Sequence, residues 1–340
     1  MITNEPKLLI IYTGGTFGMQ FGKDGKQLKD FDFLQLKESI PELHRLEVAI
    51  TTLRMDRLID SSDMTVSYWC QLAKLIQDNY FSYDGFIILH GTDTMAYTAS
   101  MLSFMLQHLS KPVVLTGALL PLGDVRNDAR ENLITAVEVA IMRKEGKAVF
   151  QEVMICYDNQ LIRGNRATKS DSDHFNSISS PNYPALATIG AKIDVNHSLL
   201  LASDAPLKLS HKVEENVFLL KLFPGMTAHV LRPLLSMPLK GLVIETFGNG
   251  NIPSFDWFYQ FLEQMVGKGV CILNVSQCLR GTVIQGKYQA SNTLDGLGVL
   301  DGKDMTTEAA MTKLMFVLAN EQENIKASME SAIAGEMSVL

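Results

Sequence analysis

Features that identify several common classes of protein are absent from this chain of 340 residues. It contains four cysteines, and no two of them form a C-x-x-C pair, so the sequence predicts neither a disulfide framework nor a zinc site. Its seven histidines form no H-E-x-x-H motif. We therefore expect a protein without a metal ion or a cofactor. No apolar run approaches the roughly 18 residues that a membrane-spanning helix needs.

Basic residues are too few for a nucleic-acid-binding surface. Lysine and arginine number 30 against 37 aspartates and glutamates, which gives a net charge of -7, and no basic cluster is present. The first residues, MITNEPKLLIIYTGG, include an acidic residue and only a short apolar run, which is not typical of a signal peptide. We expect a cytoplasmic protein that binds neither nucleic acid nor membranes.

The usual nucleotide-binding and serine-hydrolase motifs are missing as well. Thr13 occupies the place of the first glycine in a G-x-G-x-x-G fingerprint. Gly22 and Lys23 are followed by Asp24, so they do not complete a phosphate-binding loop. No G-x-S-x-G nucleophile elbow occurs.

What the chain does have is a regular alternation of short apolar runs and longer amphipathic segments. With 46% hydrophobic and 20% charged residues, this alternation predicts parallel strands joined by helices. The predicted strands are residues 8–12, 48–53, 85–90, 113–116, 153–157, 217–222, 241–246 and 270–275. The predicted helices are residues 66–79, 94–108, 127–143, 227–235, 254–266, 306–318 and about 321–331.

A polar stretch with weak periodicity, residues 161–211, separates two such alternations and is interpreted as long loops followed by a linker. The predicted fold class is α/β with two domains, each a parallel-rich sheet flanked by helices. We expect a larger N-terminal domain at 1–195, a linker at 196–214, and a smaller, Rossmann-like C-terminal domain at 215–340.

Hydroxyls and glycines follow two of the predicted strands. TGGT occupies residues 13–16 and GTDT occupies residues 91–94. Ligands of open parallel sheets bind beyond the carboxyl ends of the strands. A threonine there would be a nucleophile only if a base and oxyanion donors accompany it. Threonine and aspartate are also common helix caps, and this second interpretation stays open.

Other polar groups have similar alternatives. Asp60 and Ser61 precede a helix and are either a cap or part of a binding site. Lys169 is either a solvated surface lysine or a functional amine. Cys278 follows a predicted strand, where a lone cysteine is more often inert than reactive.

Several longer segments, taken in order, resemble one enzyme family. They are IIYTGGTFGM, LIDSSDM, DGFIILHGTDTMAYTASMLSFML, KPVVLTGALLPL, RGNRATK, NVSQCLRG and DMTTEAAMTKL. The chain resembles the bacterial L-asparaginases, in particular the cytoplasmic type I subgroup, over nearly its whole length. TGGT alone is weakly specific, whereas the ordered set is highly specific. The resemblance implies hydrolysis of L-asparagine to L-aspartate and ammonia without a metal or cofactor.

The resemblance also implies catalytic roles. Thr16 matches the nucleophile that attacks the side-chain amide and forms an acyl-enzyme. Thr92, Asp93 and Lys169 match a second catalytic group, in which Lys169 holds or accepts a proton for Thr92. Which threonine attacks first is left open by the sequence. Backbone N–H groups near Thr16 and Thr92 would form the oxyanion hole.

Substrate binding is assigned in the same way to Asp60, Ser61, Thr92 and Asp93, which would hold the α-carboxylate and α-ammonium groups. The family forms homodimers or homotetramers, and Asn251 resembles a residue that reaches across the subunit interface, although Asn-Gly pairs are also ordinary turns.

Two positions depart from the family pattern. Many members carry a catalytic tyrosine in the glycine-rich loop after TGGT, which we interpret as a lid, but residues 17–26 contain none. Cys278 matches a cysteine near an allosteric asparagine site. Glu245 stands where that site has an arginine, so activation of the same kind is doubtful because a carboxylate cannot bind the effector's carboxylate.

Two further functions remain open from the sequence. One is a related amidase that also hydrolyses glutamine, since a single methylene gives only about 1–3 kcal/mol of discrimination. The other is a catalytically inactive sensor that binds amino acids.

Overall fold

Eight strands form the main sheet of the chain's first unit. In the computed structural model, which describes residues 5–21, 28–30, 39–285 and 294–338, the chain divides into two compact units, Met1–His211 and Lys212–Leu340. The strands of the first unit are Lys7–Tyr12 (β1), Met19–Phe21 (β2), Leu28–Asp30 (β3), Ala49–Arg54 (β4), Gly85–Leu89 (β5), Leu106–Gln107 (β6), Val113–Thr116 (β7), Arg143–Lys144 (β8), Lys147–Ala148 (β9), Val153–Tyr157 (β10), Gln160–Arg163 (β11), Thr168–Lys169 (β12), Ile178–Ser179 (β13), Ala187–Ile189 (β14), Ile193–Val195 (β15) and Lys208–Leu209 (β16).

The main sheet has the strand order β15-β14-β11-β10-β7-β5-β1-β4. Strands β4, β1, β5, β7 and β10 run parallel, whereas β11, β14 and β15 join by antiparallel pairing. Every residue of β5, β7 and β10 is buried, and strands covered on both faces have continuous apolar runs rather than alternation. The carboxyl ends of the parallel strands meet at one edge. We call the segments that follow four of them, residues 13–16, 55–61, 90–94 and 117–120, the carboxyl rim.

Three α-helices that the structure describes in full cover this sheet: Val66–Asn79 (α1), Met95–Met105 (α2) and Ala129–Ile141 (α3). Helix α1 is capped by Thr65, whose Oγ1 accepts a hydrogen bond from the Tyr68 N–H at 3.3 Å. Helix α2 is buried on nearly all sides, which explains its apolar composition. It ends at Met105, earlier than the predicted residue 108, because β6 follows it and pairs with β16.

The stretch at 161–211 is not made only of loops, as we expected from the sequence. Three strands of the main sheet lie in it or begin just before it: β11, β14 and β15. They are three or four residues long, and Thr188 and Asp194 point to solvent, so their apolar signal is short and interrupted. Antiparallel strands at a sheet margin can be this short because tight turns join them.

The second unit contains a parallel sheet with the order β17-β18-β19-β20. The two-residue strand β20 was not predicted because a run of that length has no periodicity to detect. The strands are Val217–Lys221 (β17), Gly241–Thr246 (β18), Cys271–Ser276 (β19) and Leu300–Asp301 (β20). The α-helices that the structure describes in full are Ala228–Leu231 (α4), Asp256–Gly267 (α5), Thr307–Asn320 (α6) and Ile325–Glu330 (α7).

The helix predicted at 227–235 is a single α-helical turn, α4, followed by the 3₁₀ helix Arg232–Ser236. Pro233 lies at the start of the 3₁₀ helix. Its ring lacks the N–H that would continue the α-helical hydrogen bonds, so the winding changes there.

The predicted fold class is confirmed: the chain is α/β, with a large mixed sheet in the first unit and a smaller parallel sheet in the second. The boundaries at 195 and 215 and the linker between them stay predictions. Among the residues described, none of the helices has the length and apolar character to span a bilayer.

A buried ion pair fixes the C-terminal segment of the second unit. Lys313 Nζ lies 2.6 Å from Glu336 Oε1, and both side chains are 0% exposed. The ammonium also donates to the carbonyls of Met329 at 2.9 Å and Ser331 at 2.6 Å. The Glu336 carboxylate accepts the backbone N–H of Ile333 at 3.0 Å. Burial lowers the pKa of Lys313, while Glu336 opposes that shift.

We expect Lys313→Met to destabilise the second unit by about 3–5 kcal/mol, because it leaves the Glu336 charge buried and unpaired. Urea unfolding followed by the fluorescence of Trp257, in a Trp69→Phe background, measures this loss within the second unit. The exposed pair of Lys326 and Glu330, 3.7 Å apart, supplies the control, since Lys326→Met should cost no more than about 0.5 kcal/mol. Equal effects of the two substitutions would contradict the assignment of a stabilising role to the buried pair.

Candidate active site

The end of strand β1 is tied to the end of strand β5. The backbone N–H of Thr13 donates to the Leu89 carbonyl at 3.1 Å, and its hydroxyl donates to the same oxygen at 2.9 Å. Thr13 is therefore a buried structural residue. Thr16 differs, because it begins the short 3₁₀ helix Thr16–Gly18, is partly exposed, and has no hydrogen-bond partner for its hydroxyl among the described residues.

Two glycines let the TGGT segment touch its neighbours closely. Gly14 has φ 118° and Gly15 has φ 83°, values that side-chain-bearing residues rarely adopt. A Cβ on Gly14 would lie 2.2 Å from the Ile59 carbonyl oxygen, and one on Gly15 would lie 2.8 Å from Gly91 Cα. The segment is thus in direct backbone contact with both of the other polar segments predicted from the sequence.

The segment after β4 runs beside the end of β1, since Ile59 N donates to the Thr13 carbonyl at 3.0 Å. This places Asp60 and Ser61 at the carboxyl rim. Asp60 caps the 3₁₀ helix Ser61–Asp63, and its carboxylate accepts the Ser62 N–H and hydroxyl, each at 2.9 Å. These bonds, with a smaller contribution from the Lys169 charge, lower the pKa of Asp60, so its carboxylate is ionised at neutral pH.

Ser61 is buried and lies against the segment that follows β5. A Cβ on Gly91 would lie 2.6 Å from Ser61 Oγ, so only glycine allows this approach. The Ser61 carbonyl accepts the Thr94 hydroxyl at 2.6 Å. Thr94 is the N-cap residue of α2, yet its side chain makes no capping bond to that helix and joins the two segments of the rim instead.

Thr92 and Asp93 lie before the N-cap of α2 and meet Lys169. Lys169 Nζ lies 3.1 Å from Thr92 Oγ1 and also contacts Asp93 Oδ1 in an ion pair. The Lys169 side chain is 20% exposed and that of Asp93 is 58% exposed. A hydroxyl, an amine and a carboxylate thus share one edge of the sheet, with a carboxylate open to solvent that can receive a ligand's ammonium.

Lys169 reaches this place through buried neighbours. It lies in β12, which follows the buried 3₁₀ helix Gly164–Arg166. A Cβ on Gly164 would lie 3.0 Å from the Ala99 Cβ, so this segment packs tightly on α2. Because Asp93 directly precedes Thr94, the N-cap of α2, the same helix positions both partners of the ion pair.

Sequence reasoning missed two groups that support the rim. Asp128 accepts the backbone N–H groups of Leu119 at 2.9 Å and Leu120 at 3.1 Å, and Asn132 Nδ2 donates to the Gly117 carbonyl at 3.0 Å, which fixes residues 117–120. His90 is buried at the end of β5. A signal for His90 was available, since one polar residue ends an otherwise apolar strand.

The remaining predicted residues lie in the second unit. Asn251 is in a tight turn, where its N–H donates to the Phe247 carbonyl at 2.8 Å and its side chain to Asn249 at 3.1 Å. Cys278 is exposed. Glu245 is nearly buried and accepts Lys221 Nζ at 2.9 Å and the Thr307 hydroxyl at 2.6 Å.

Part of the predicted lid lies outside the described residues. Strands β2 and β3 form an antiparallel pair on either side of residues 22–27, which are not described. No group of three or more histidine, cysteine, aspartate or glutamate side chains suited to a metal ion occurs in the described part of the chain.

The protein is therefore a two-domain α/β protein whose carboxyl rim carries hydroxyl, amine and carboxylate groups. These are the groups that acyl transfer to a hydroxyl requires. Residues 7–201 match the family profile described as Asparaginase, N-terminal, and residues 216–329 match the Glutaminase/Asparaginase C-terminal domain. The chain belongs to the asparaginase family.

Similar proteins agree with this family assignment. The chain is 38% identical to "L-asparaginase 1" of Escherichia coli K12, over 98% of each chain. It is 37% identical to L-asparaginase I of Vibrio cholerae, with a TM-score of 0.89 over 98% of this chain and 100% of that one. It is 40% identical to the mouse protein named "60 kDa lysophospholipase", over 92% of this chain, but spans only 59% of that relative's length.

Proposed function

We propose that this protein is an L-asparaginase, which hydrolyses L-asparagine to L-aspartate and ammonia. The observation that carries the proposal is the contact of Lys169 Nζ with both Thr92 Oγ1 and Asp93 Oδ1, beside the TGGT segment. Hydrolysis of an amide through a hydroxyl nucleophile needs a proton acceptor, and Lys169 in its amine form supplies one to Thr92. The relatives named L-asparaginase support the same substrate.

In the proposed first step, the Thr16 oxygen attacks the side-chain amide carbon of asparagine. The amide oxygen takes the negative charge and is stabilised by backbone N–H groups at the rim. The hydroxyl proton passes to the amine acceptor and then to the departing nitrogen, so that ammonia leaves and an ester to Thr16 remains.

In the second step, water attacks the ester carbon. Thr92 and Lys169 accept the water's proton, and the Thr16 oxygen recovers a proton as the ester bond breaks. Aspartate and the free hydroxyl are restored, and no other reactant is consumed.

Recognition of the substrate's two ends follows from charge. Asp93, half exposed and paired only with Lys169 among the described residues, is placed to receive the α-ammonium, and the ionised Asp60 adds to the negative potential. Ser61 offers a hydroxyl for the α-carboxylate. A carboxylate that binds an ammonium also selects against amides without one, because its charge would then lack its partner.

An ammonia-release assay tests this proposal with three amides: L-asparagine, L-glutamine and succinamic acid, which is asparagine without its amine. We expect kcat/KM for asparagine to exceed that for glutamine by about 10- to 200-fold, and that for succinamic acid by about 100-fold or more. Glutamine turnover equal to that of asparagine would indicate a dual amidase. No ammonia from either amino acid, at high enzyme concentration, would leave amino-acid sensing as the function.

The assembly and regulation of the protein are also proposals. We propose a cytoplasmic homodimer or homotetramer in which Asn251 reaches the partner subunit; these features rest on the family resemblance. We propose no activation by asparagine near Cys278. The place of the effector-binding arginine is held by Glu245, whose carboxylate already binds Lys221 and Thr307 and would repel an effector carboxylate.

A further inference from the structure

A chain of three buried hydrogen bonds ends at the peptide that joins Gly91 to Thr92. Trp69 Nε1 donates to Thr98 Oγ1 at 2.9 Å, Thr98 Oγ1 lies 2.9 Å from His90 Nε2, and His90 Nδ1 lies 2.6 Å from the Gly91 carbonyl oxygen. His90 is 1% exposed and Thr98 is 0% exposed. The chain links helix α1, through helix α2, to the end of strand β5.

The proton positions in this chain follow from the partners. The Gly91 carbonyl can only accept, so His90 Nδ1 carries the proton and donates it. His90 Nε2 is then the acceptor, and the Thr98 hydroxyl donates to it while its oxygen accepts the Trp69 N–H. Burial lowers the pKa of His90 to about 4, so the ring is neutral at physiological pH, as this arrangement requires.

Holding the Gly91 carbonyl also sets the direction of the Thr92 N–H. Both groups belong to one planar peptide unit, and no peptide bond in the described residues is cis. In a trans peptide the C=O and the N–H point in opposite directions. With the oxygen turned toward the buried imidazole, the N–H of Thr92 must point away from it.

The Thr92 N–H has no hydrogen-bond partner among the described residues, although Thr92 is only 8% exposed. In a residue this well buried, a backbone N–H without a partner is uncommon, and at a binding site a ligand can satisfy it. The hydroxyl of the same residue contacts Lys169, so this N–H lies in the proposed active site.

We propose that His90 is a positioning residue, which orients the Gly91–Thr92 peptide so that the Thr92 N–H donates to the oxyanion formed during amide hydrolysis. This inference rests on the proposed function. An oxyanion donor acts mainly in the transition state, so its misplacement should lower kcat with little change in KM. Replacement of a histidine with only a structural role would not lower kcat selectively while leaving KM unchanged.

Two substitutions distinguish the hydrogen bond made by His90 Nδ1 from the one made by His90 Nε2. In His90→Asn, the amide nitrogen takes the place of Nδ1 and can still donate to the Gly91 carbonyl, while the bond to Thr98 is lost. In His90→Gln, the amide takes the place of Nε2 and keeps a partner in Thr98, while the Gly91 carbonyl loses its donor. The two variants are otherwise matched in polarity.

We expect kcat for asparagine to fall about 10- to 100-fold in His90→Gln, with KM within about twofold, and to stay within about threefold of wild type in His90→Asn. Equal losses in both variants, or a wild-type kcat in His90→Gln, would overturn the inference. Neither outcome would contradict the proposed function, which is tested separately by the ammonia-release assay on the wild-type protein.

A measurement on the unsubstituted protein covers the case in which a variant does not fold. Nitrogen-15 NMR of the histidine rings distinguishes a protonated Nδ1 from a protonated Nε2. We expect His90 to be the Nδ1–H tautomer at neutral pH. A protonated Nε2 with a bare Nδ1 would place a lone pair against the Gly91 oxygen and exclude the proposed hydrogen bond.

Discussion

Thr16→Ala is expected to lower kcat for asparagine by at least about 10⁴-fold while the protein remains folded. Removal of a nucleophile abolishes the covalent route and leaves only what binding and oxyanion stabilisation provide. The Thr16 hydroxyl makes no hydrogen bond within the described residues and Thr16 is partly exposed, so its loss should not disturb packing. Ammonia release under saturating asparagine measures the effect, and thermal unfolding confirms that the variant is folded.

Thr16→Ser is the matched control, because it keeps the hydroxyl and removes only a methyl group. We expect it to retain activity within about 100-fold of wild type, far above Thr16→Ala. Mass spectrometry of acid-quenched enzyme should show the ester on Thr16. An adduct on Thr92 instead, with Thr16→Ala still able to form it, would reverse the roles of the two threonines, which the sequence leaves open.

The success of sequence reasoning depended on how local each signal is. Strands β1 and β5 are continuous apolar runs because both faces are covered, and they were predicted within one or two residues. Strands β14 and β15 were missed because three residues at a sheet margin carry too little pattern. The helix predicted at 227–235 becomes a 3₁₀ helix in its second half, at Pro233. This change could have been predicted, because the proline is visible in the sequence and lacks the N–H that an α-helix needs.

For the candidate active site, local sequence patterns were even less informative than for the fold. Local pattern gave a helix cap and a catalytic group as alternatives for Thr92, and a solvated lysine as the ordinary interpretation of Lys169. The structure brings these two residues into contact although 77 positions separate them. Such a contact is set by the order of strands in the sheet and by the packing of residues 164–166 on α2, neither of which leaves a periodic signal near Lys169.

Lys169→Met should lower kcat by about 10²- to 10⁴-fold, the range that general acid–base groups contribute. Methionine keeps the length and apolar stem of lysine but cannot accept a proton. The ion pair with Asp93 is lost as well, which frees that carboxylate at the rim. Steady-state ammonia release measures the loss, and Lys74→Met is the control, since Lys74 is 68% exposed and its ion pair with Asp78 lies within α1.

The early time course of the same variant shows which step Lys169 serves. In the proposed mechanism Lys169 accepts the Thr16 hydroxyl proton as well as the water's proton, so we expect no burst of ammonia from Lys169→Met, because acylation itself is slow. A burst of about one ammonia per active site, followed by a stall, would show instead that Lys169 serves only the attack of water on the ester. Full turnover in Lys169→Met would remove the lysine from the mechanism, and the Thr92 hydroxyl would then need another proton acceptor at the carboxyl rim.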